Sequence, residues 1–397
     1  MSNSFTIIGA GIVGLATAYQ LQKKNPDIKI TLIEKESSPA KHQTGNNSGV
    51  IHSGIYYKPK SMKAENCRKG YKMMIDFCDE NNINYEICGK VIVATEESEI
   101  PSLENIYKRG IENGLAGLKF LSSEELKEKE PFVSGVKGIF VPQTGIIDYK
   151  NVATRLVEIL QRNGAEIKFG EKVVAIKKGK QIEIITDKNS YTSDKLISCA
   201  GLHSDRIARL TEGKINVRII PFRGEYYKIS AAKKHFVKSL IYPVPDPNFP
   251  FLGVHFTRMI DGNVEAGPNA VFAFKREGYK KTDFDLYDTF ESIGWRGFQK
   301  VAAKYWKVGL GEFYRSFSKS AFTKALQKLI PAIQENDLLP GGAGVRAQAC
   351  DINGSLLDDF YILEKENIFH VLNSPSPAAT ASLSIGDFIA NKILSIR

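Results

Sequence analysis

Phe5-Thr6-Ile7-Ile8-Gly9-Ala10-Gly11-Ile12-Val13-Gly14-Leu15 carries the chain from a short apolar strand through a G-x-G-x-x-G turn into a helical pattern. A second apolar run, Ile28 to Ile33, ends at Glu34, twenty residues beyond Gly14. Strand, glycine turn, helix, strand and terminal acid in this order predict a βαβ unit that binds a dinucleotide. The glycines have separate reasons: Gly9 permits the tight turn, Gly11 lets the backbone approach a pyrophosphate, and Gly14 lets helix and strand pack closely. The helix start at Ile12 and Val13 offers unpaired N–H groups and a positive dipole end to the phosphates. Glu34, followed by Lys35, is placed to hold a ribose hydroxyl. The same unit would serve NAD or FAD, so the cofactor has to be read elsewhere.

A chain of 397 residues exceeds what one hydrophobic core usually serves, so two domains are expected. Hydrophobic content of 43% and charged content of 25% are those of a globular protein. The first strand begins at residue 5, leaving no room for a cleaved signal peptide, and no apolar run approaches the ~20 residues of a membrane span. A cytoplasmic protein is expected, at most peripheral on the cytoplasmic face of a membrane. Cys67, Cys78, Cys88, Cys199 and Cys350 are widely spaced, with no C-x-x-C pair, and read as reduced thiols without a metal site.

The net charge of +10 excludes little by itself, but no nucleic-acid motif accompanies it. Much of the excess lies between Trp295 and Pro331, where Arg296, Lys300, Lys304, Lys307, Arg315, Lys319, Lys324 and Lys328 face the single acid Glu312 among eight aromatic residues. Such a segment suits an anionic bilayer surface. It equally suits a helical subdomain that packs its aromatics inward behind a solvated basic face.

Apolar spacing predicts a helix over Lys60–Glu80, a strand over Lys90–Thr95 and helical segments over Leu103–Asn113 and Ser122–Lys129, the last opened by a Ser122/Glu125 capping box. A helix over Tyr149–Arg162 leads into strands at Glu166–Phe169, Lys172–Lys177 and Ile182–Thr186. The apolar strand from Lys195 to Cys199 ends in Ala200-Gly201, suited to return to the cofactor. Strands are then predicted at Val217–Ile220, Glu225–Ile229, Leu240–Val244, Leu252–Thr257 and Asn263–Ala266, with Pro243–Pro247 a rigid connection, and a final helix from about Ala378.

What separates the cofactors is the stretch His42-Gln43-Thr44-Gly45-Asn46-Asn47-Ser48-Gly49-Val50-Ile51-His52, a Gly- and Asn-rich loop able to wrap a large polar cofactor. It resembles the loop that lies along pyrophosphate and flavin in the D-amino-acid-oxidase-like family of FAD enzymes. Further stretches, among them Pro221–Tyr226, Tyr242–Pro247, Pro250–His255, Gly267–Ala270, Phe274–Tyr279, Ala343–Gln348 and Ser374–Thr380, bring the resemblance closest to the L-2-hydroxyglutarate dehydrogenases and oxidases of that family.

The resemblance implies an α/β fold: a Rossmann-like FAD-binding domain of the glutathione-reductase type, discontinuous over 1–85, 145–215 and 335–397. A second, α+β substrate domain on a mostly antiparallel sheet would take 86–144 and 216–334, with 276–330 its basic helical segment. It implies FAD contacts at Thr44, Asn47, Ser48, Gly49, Val174, Ala200, Gly201 and Arg346, and at Ser376, Pro377, Ala378 and Ala379, where the last helix would point its N-terminal amides at the flavin.

The implied chemistry is oxidation of an L-2-hydroxy dicarboxylate to a 2-oxo acid, with electrons passed to a quinone or to oxygen. A base is needed for the hydroxyl proton, and His255 is the leading candidate; His52 could contact flavin or substrate. Two carboxylates call for cations, with Arg346 for one and Arg223 or Arg258 for the other. A related flavoenzyme acting on another 2-hydroxy acid, an amino acid or glycerol 3-phosphate is the alternative, because a monoacid needs one arginine only. A protein keeping FAD for structure alone is a third.

Overall fold

The computed structural model describes residues 4–246 and 251–396. Pro247, at the end of the Pro-rich connection, and Pro250, at the start of the Pro250–His255 stretch, lie outside the described residues. The opening motif builds the centre of a six-stranded sheet. Ser4–Ile8 lies between Lys29–Glu34 and Lys195–Ser198, parallel to both, with Ile7 opposite Leu32 on one side and Ile197 on the other. Glu166–Phe169 and Ile368–Asn373 extend the sheet in parallel, and Tyr361–Lys365 closes one edge antiparallel. Its central strands are buried on both faces, as an apolar parallel sheet requires.

Helices Ile12–Lys24, Tyr149–Arg162 and Ala378–Ser395 cover one face in a single core, where Leu15, Leu32, Leu156 and Ile389 are buried. Gly386 lets the last helix press on the first, since a Cβ there would meet the Ala16 carbonyl oxygen at 2.6 Å. The other face is covered by the antiparallel ribbon Val173–Lys177, Ile182–Thr186 and Ser190–Ser193, packing Ile182 and Ile184 onto Ile8 and Leu196. Lys195 ties the sheet to the end of the last helix: its buried ammonium donates to the carbonyls of Ile393 and Ile396, both at 2.7 Å.

A nine-stranded sheet forms the second layer system. All its pairings are antiparallel except that of Leu240–Pro243 with Lys90–Ala94. The two strands expected at Val217–Ile220 and Glu225–Ile229 are one strand, Val217–Ile229. Pro221 does not break it, because that position is used only as an acceptor, its carbonyl taking the Ala273 N–H at 3.0 Å. This strand pairs along its length with Leu338–Asp351, so residues 338–351, expected with the 335–397 part of the nucleotide-binding unit, lie in the second sheet. The strand expected at Leu252–Thr257 begins later, at His255–Arg258.

Ser122 and Glu125 form the reciprocal capping box expected of them. The basic segment folds as helices Leu286–Ile293, Arg296–Phe317 and Lys319–Gln327. Among the described residues no helix is long and apolar enough to cross a membrane.

Candidate active site

The glycine turn is dictated by contact. Gly9 has φ +105°, and a Cβ there would meet the Cys199 carbonyl oxygen at 2.5 Å; at Gly14 it would meet the Gly9 oxygen at 2.1 Å. Gly11 caps the first helix with no side-chain hydrogen bond, and the Ile12 N–H donates to Thr44 Oγ1 at 2.9 Å, locking the flavin loop onto the helix start. Glu34 accepts from the amides of Ala10, at 2.7 Å, and Glu36, at 2.9 Å, so its carboxylate braces the turn. Lys35 reaches sideways instead, to Glu36, to Glu277 at 2.6 Å and to His42 at 3.0 Å. Glu36, His42 and Glu277 offer ligand atoms within 4.8 Å of one another, but the Lys35 ammonium already contacts both carboxylates.

The loop after the turn is self-braced. Asn47 donates to the carbonyls of Gln43 and Thr44, at 3.1 and 2.7 Å, and accepts the Gly49 N–H at 2.8 Å. Gly49 has φ +61° and passes so near the Ile147 carbonyl that a Cβ would lie 2.6 Å from it. Gly344 performs the same service from the second sheet, where a Cβ would stand 2.2 Å from the Asn46 oxygen.

Between these elements runs a cavity of about 1140 Å³. Gly11, Ile12, Val13, Thr44, Asn47 and Ser48 line it at one end, joined by Gly201. Ser376, Pro377, Ala378 and Ala379 bring the start of the last helix to it. Pro377 is the residue before that helix and no side chain caps it; Ser376 lies with Oγ 3.4 Å from His52 Nε2. Gly9, Gly14, Glu34, Lys35, Gly49 and Ala200 are not among the residues that line the cavity. Val174 does not reach it: the side chain sits on the covering ribbon and is 48% exposed. A glycine turn closed to a Cβ at Gly9 and Gly14, with helix amides and an amide-rich loop along one cavity, fits the pyrophosphate of FAD.

At the other end His52, His255 and Arg346 meet on the wall. His255 is buried, and its Nδ1 lies 2.8 Å from the Gly253 carbonyl, which can only accept. The proton therefore sits on Nδ1 and Nε2 keeps its lone pair. Burial, with the charges of Arg346 and Lys90, pushes His255 down to about 4, so the ring is neutral at ordinary pH. Burial with Lys90 and His255 pushes His52 down to about 3. Among the described residues Arg346 has only the Asn269 carbonyl, at 3.4 Å, and the Phe251 ring, its guanidinium carbon 5.3 Å from the centroid. Gly224 makes room for it, since a Cβ there would come within 3.3 Å of Nη2.

Arg223 and Arg258, the expected holders of a second carboxylate, are not on this wall. Arg223 is buried with both Nε and Nη2 on Glu225, at 3.0 and 2.9 Å, and Arg258 pairs with Glu86. Each guanidinium already has its carboxylate. In their place the wall carries Tyr56, Tyr226 and Tyr242, with the buried Lys90 against two of these rings. Lys90 was not foreseen as a site residue, although a lysine opening an otherwise apolar strand is a visible signal.

Residues 4–392 match the family model described as FAD dependent oxidoreductase. An L-2-hydroxyglutarate dehydrogenase of Indibacter alkaliphilus is 58% identical over 382 residues, spanning 96% of both chains. The mitochondrial L-2-hydroxyglutarate dehydrogenase of Homo sapiens is 43% identical, covering 99% of this chain and 89% of that one. Among solved structures, the L-alpha-glycerophosphate oxidase of Mycoplasma pneumoniae with FAD bound superposes with a TM-score of 0.82 at 24% identity, over 100% of this chain and 96% of that one. Glycine oxidase of Geobacillus kaustophilus gives 0.73 at 14% identity over 100% and 96%, so these two speak for the fold. With a glycine cradle and an amide-rich loop shaped for FAD, and a family match over nearly its whole length, the chain belongs to the FAD-dependent oxidoreductases.

Proposed function

We propose that this protein oxidises L-2-hydroxyglutarate to 2-oxoglutarate. The observation that carries the reading is the pairing, on one cavity wall, of a neutral His255 whose Nε2 keeps its lone pair with an arginine that has no carboxylate partner among the described residues. Relatives at 43–58% identity over nearly the full chain bear the name of that dehydrogenase. FAD, when bound, supplies the hydride acceptor. Arg346 orients the carboxylate beside the reacting carbon, and His255 Nε2 accepts the hydroxyl proton. The start of the last helix lends its dipole to negative charge arising at that end of the cavity. Anaerobic addition of L-2-hydroxyglutarate should bleach the bound flavin; bleaching by other L-2-hydroxy acids but not by this one would overturn the substrate.

The electron acceptor we infer is a lipophilic quinone reached at an anionic bilayer. Phe290, Leu310, Tyr314 and Phe317 are 69%, 60%, 68% and 73% exposed, and Lys300, Lys304, Lys307 and Arg315 accompany them. Beneath this face lies an apolar cavity of about 320 Å³ lined by Phe298, Trp306 and Leu310, and Phe251 belongs to its wall and to that of the larger cavity. An exposed aromatic surface among cations gains both from apolar insertion and from ~1 kcal/mol per basic residue near anionic lipid. The protein should cosediment with phosphatidylglycerol vesicles at low salt, less so at high salt, and less again as a Phe290→Ser/Leu310→Ser variant. No cosedimentation at low salt would overturn this.

A further inference from the structure

Lys90 opens the strand Lys90–Ala94, all five residues of which are buried. Side chains alternate along a strand, so Lys90 shares its face with Ile92 and Ala94, which pack with Ile55 in an apolar cluster. An ammonium in such a place is costly unless something compensates its charge. Among the described residues it has no ion pair. Its Nζ stands 4.4 Å from the centroid of the Tyr56 ring and 4.9 Å from that of Tyr242. The side chain is 1% exposed, and burial lowers its ammonium to about 7, with Cys67 acting in the opposite direction.

Three observations turn this lysine toward the cavity. Both rings that hold it line the wall, and Tyr242 lies against His255 with centroids 4.0 Å apart. The Tyr56 hydroxyl is itself buried without a hydrogen-bond partner. The Lys90 and Arg346 charges both act on His255, and those of Lys90 and Lys63 on His52, so positive potential gathers here. Cation–π contact holds an ammonium in position but leaves its charge uncancelled. A doubly negative ligand would cancel both.

We propose that Lys90, with the Tyr56 hydroxyl, receives the distal carboxylate of a dicarboxylate substrate while Arg346 holds the carboxylate beside the reacting carbon. This rests on the substrate reading above and supplies the second cation that Arg223 and Arg258 do not. It makes Lys90 the residue that separates L-2-hydroxyglutarate from monoacids of the same length.

The test compares L-2-hydroxyglutarate with L-2-hydroxypentanoate, which carries a methyl group in place of the distal carboxylate, on the holoenzyme and its Lys90→Met variant. In the variant kcat/KM for the dicarboxylate should fall by roughly 10²-fold, the usual consequence of removing one partner of a buried charge pair. The monoacid, which has no distal carboxylate to lose, should fall far less, so the preference collapses. Lys90→Arg should retain part of it. A preference that survives Lys90→Met overturns the proposal and leaves the substrate reading intact, whereas wild-type flavin bleached by the monoacid and by no dicarboxylate removes both. Should Lys90→Met yield no holoenzyme, wild-type crystals with glutarate decide: a carboxylate oxygen ~3 Å from Lys90 Nζ supports the proposal, and both carboxylates held elsewhere overturn it.

Discussion

Arg346→Lys is expected to lower kcat/KM for L-2-hydroxyglutarate by roughly 10²-fold or more while FAD stays bound. The guanidinium enters the cavity from a strand fixed along its whole length by Val217–Ile229, with Phe222 opposite Arg346, so the variant changes a head group and not a fold. Among the described residues Arg346 has no ion pair, and burial lowers its guanidinium, with Tyr226 and Glu312 acting in the opposite direction. A substrate carboxylate restores the missing countercharge through two parallel hydrogen bonds, which a lysine's point charge cannot reproduce. Stopped-flow reduction under anaerobic conditions separates the outcomes. The loss should appear in the substrate dependence of flavin reduction, with flavin content and spectrum unchanged. Reduction at the wild-type rate and substrate dependence would take Arg346 out of the site.

The parts of this site that were legible in the sequence are those fixed locally. Gly14 is imposed by the Gly9 carbonyl within one βαβ unit, Gly9 by its positive φ, and Ser122 with Glu125 makes a cap from residues three apart. His255, chosen as a base, and Arg346, chosen as a forked cation and by resemblance, both line the cavity. The status of a cation depends on its partners, and there the sequence was harder to read. Glu225 lies two residues from Arg223 on the same face of one strand, so that pairing was visible in principle. Glu86 meets Arg258 only through the fold, and nothing near Arg258 announces it. Lys90 was the opposite case, a charge in an apolar strand whose meaning appears only when two tyrosines from distant segments close around it. Val174 turns its side chain to solvent on the ribbon, away from the residues that line the cavity.

Arg276→Met should destabilise the protein by ~3–5 kcal/mol, the range for removing one partner of a buried ion pair. Arg276 is fully buried, as is Asp205, whose carboxylate it holds through Nη1 and Nη2; the second of these distances is 2.8 Å. The same guanidinium donates to the Leu202 carbonyl at 2.6 Å and to Glu291 at 2.9 Å. Asp205 also accepts the Ile219 N–H at 3.1 Å, so the network joins the helix that follows Lys195–Ser198 in the first sheet to the long strand of the second. Methionine fills much of the space and leaves Asp205 charged in an apolar site. Burial alone raises the Asp205 carboxyl, and it is the Arg276 hydrogen bonds and charge that hold it below its ordinary value. In the wild type this depressed carboxyl contributes stability above its unfolded value that is lost as pH falls through the folded one. In the variant burial dominates and the sign reverses: a raised carboxyl contributes stability at low pH that is lost as pH rises through the folded value. The deficit should therefore be largest near neutral pH and shrink as the medium is acidified toward the carboxylate range. Denaturant midpoints of the two holoenzymes at pH 7.5 and pH 5 measure it, and an Arg276→Met/Asp205→Leu double variant should recover much of the loss by removing the stranded charge. A deficit that does not change between the two pH values, or a double variant no better than the single one, would mean that Arg276 stabilises the joint by packing and not by holding Asp205 ionised.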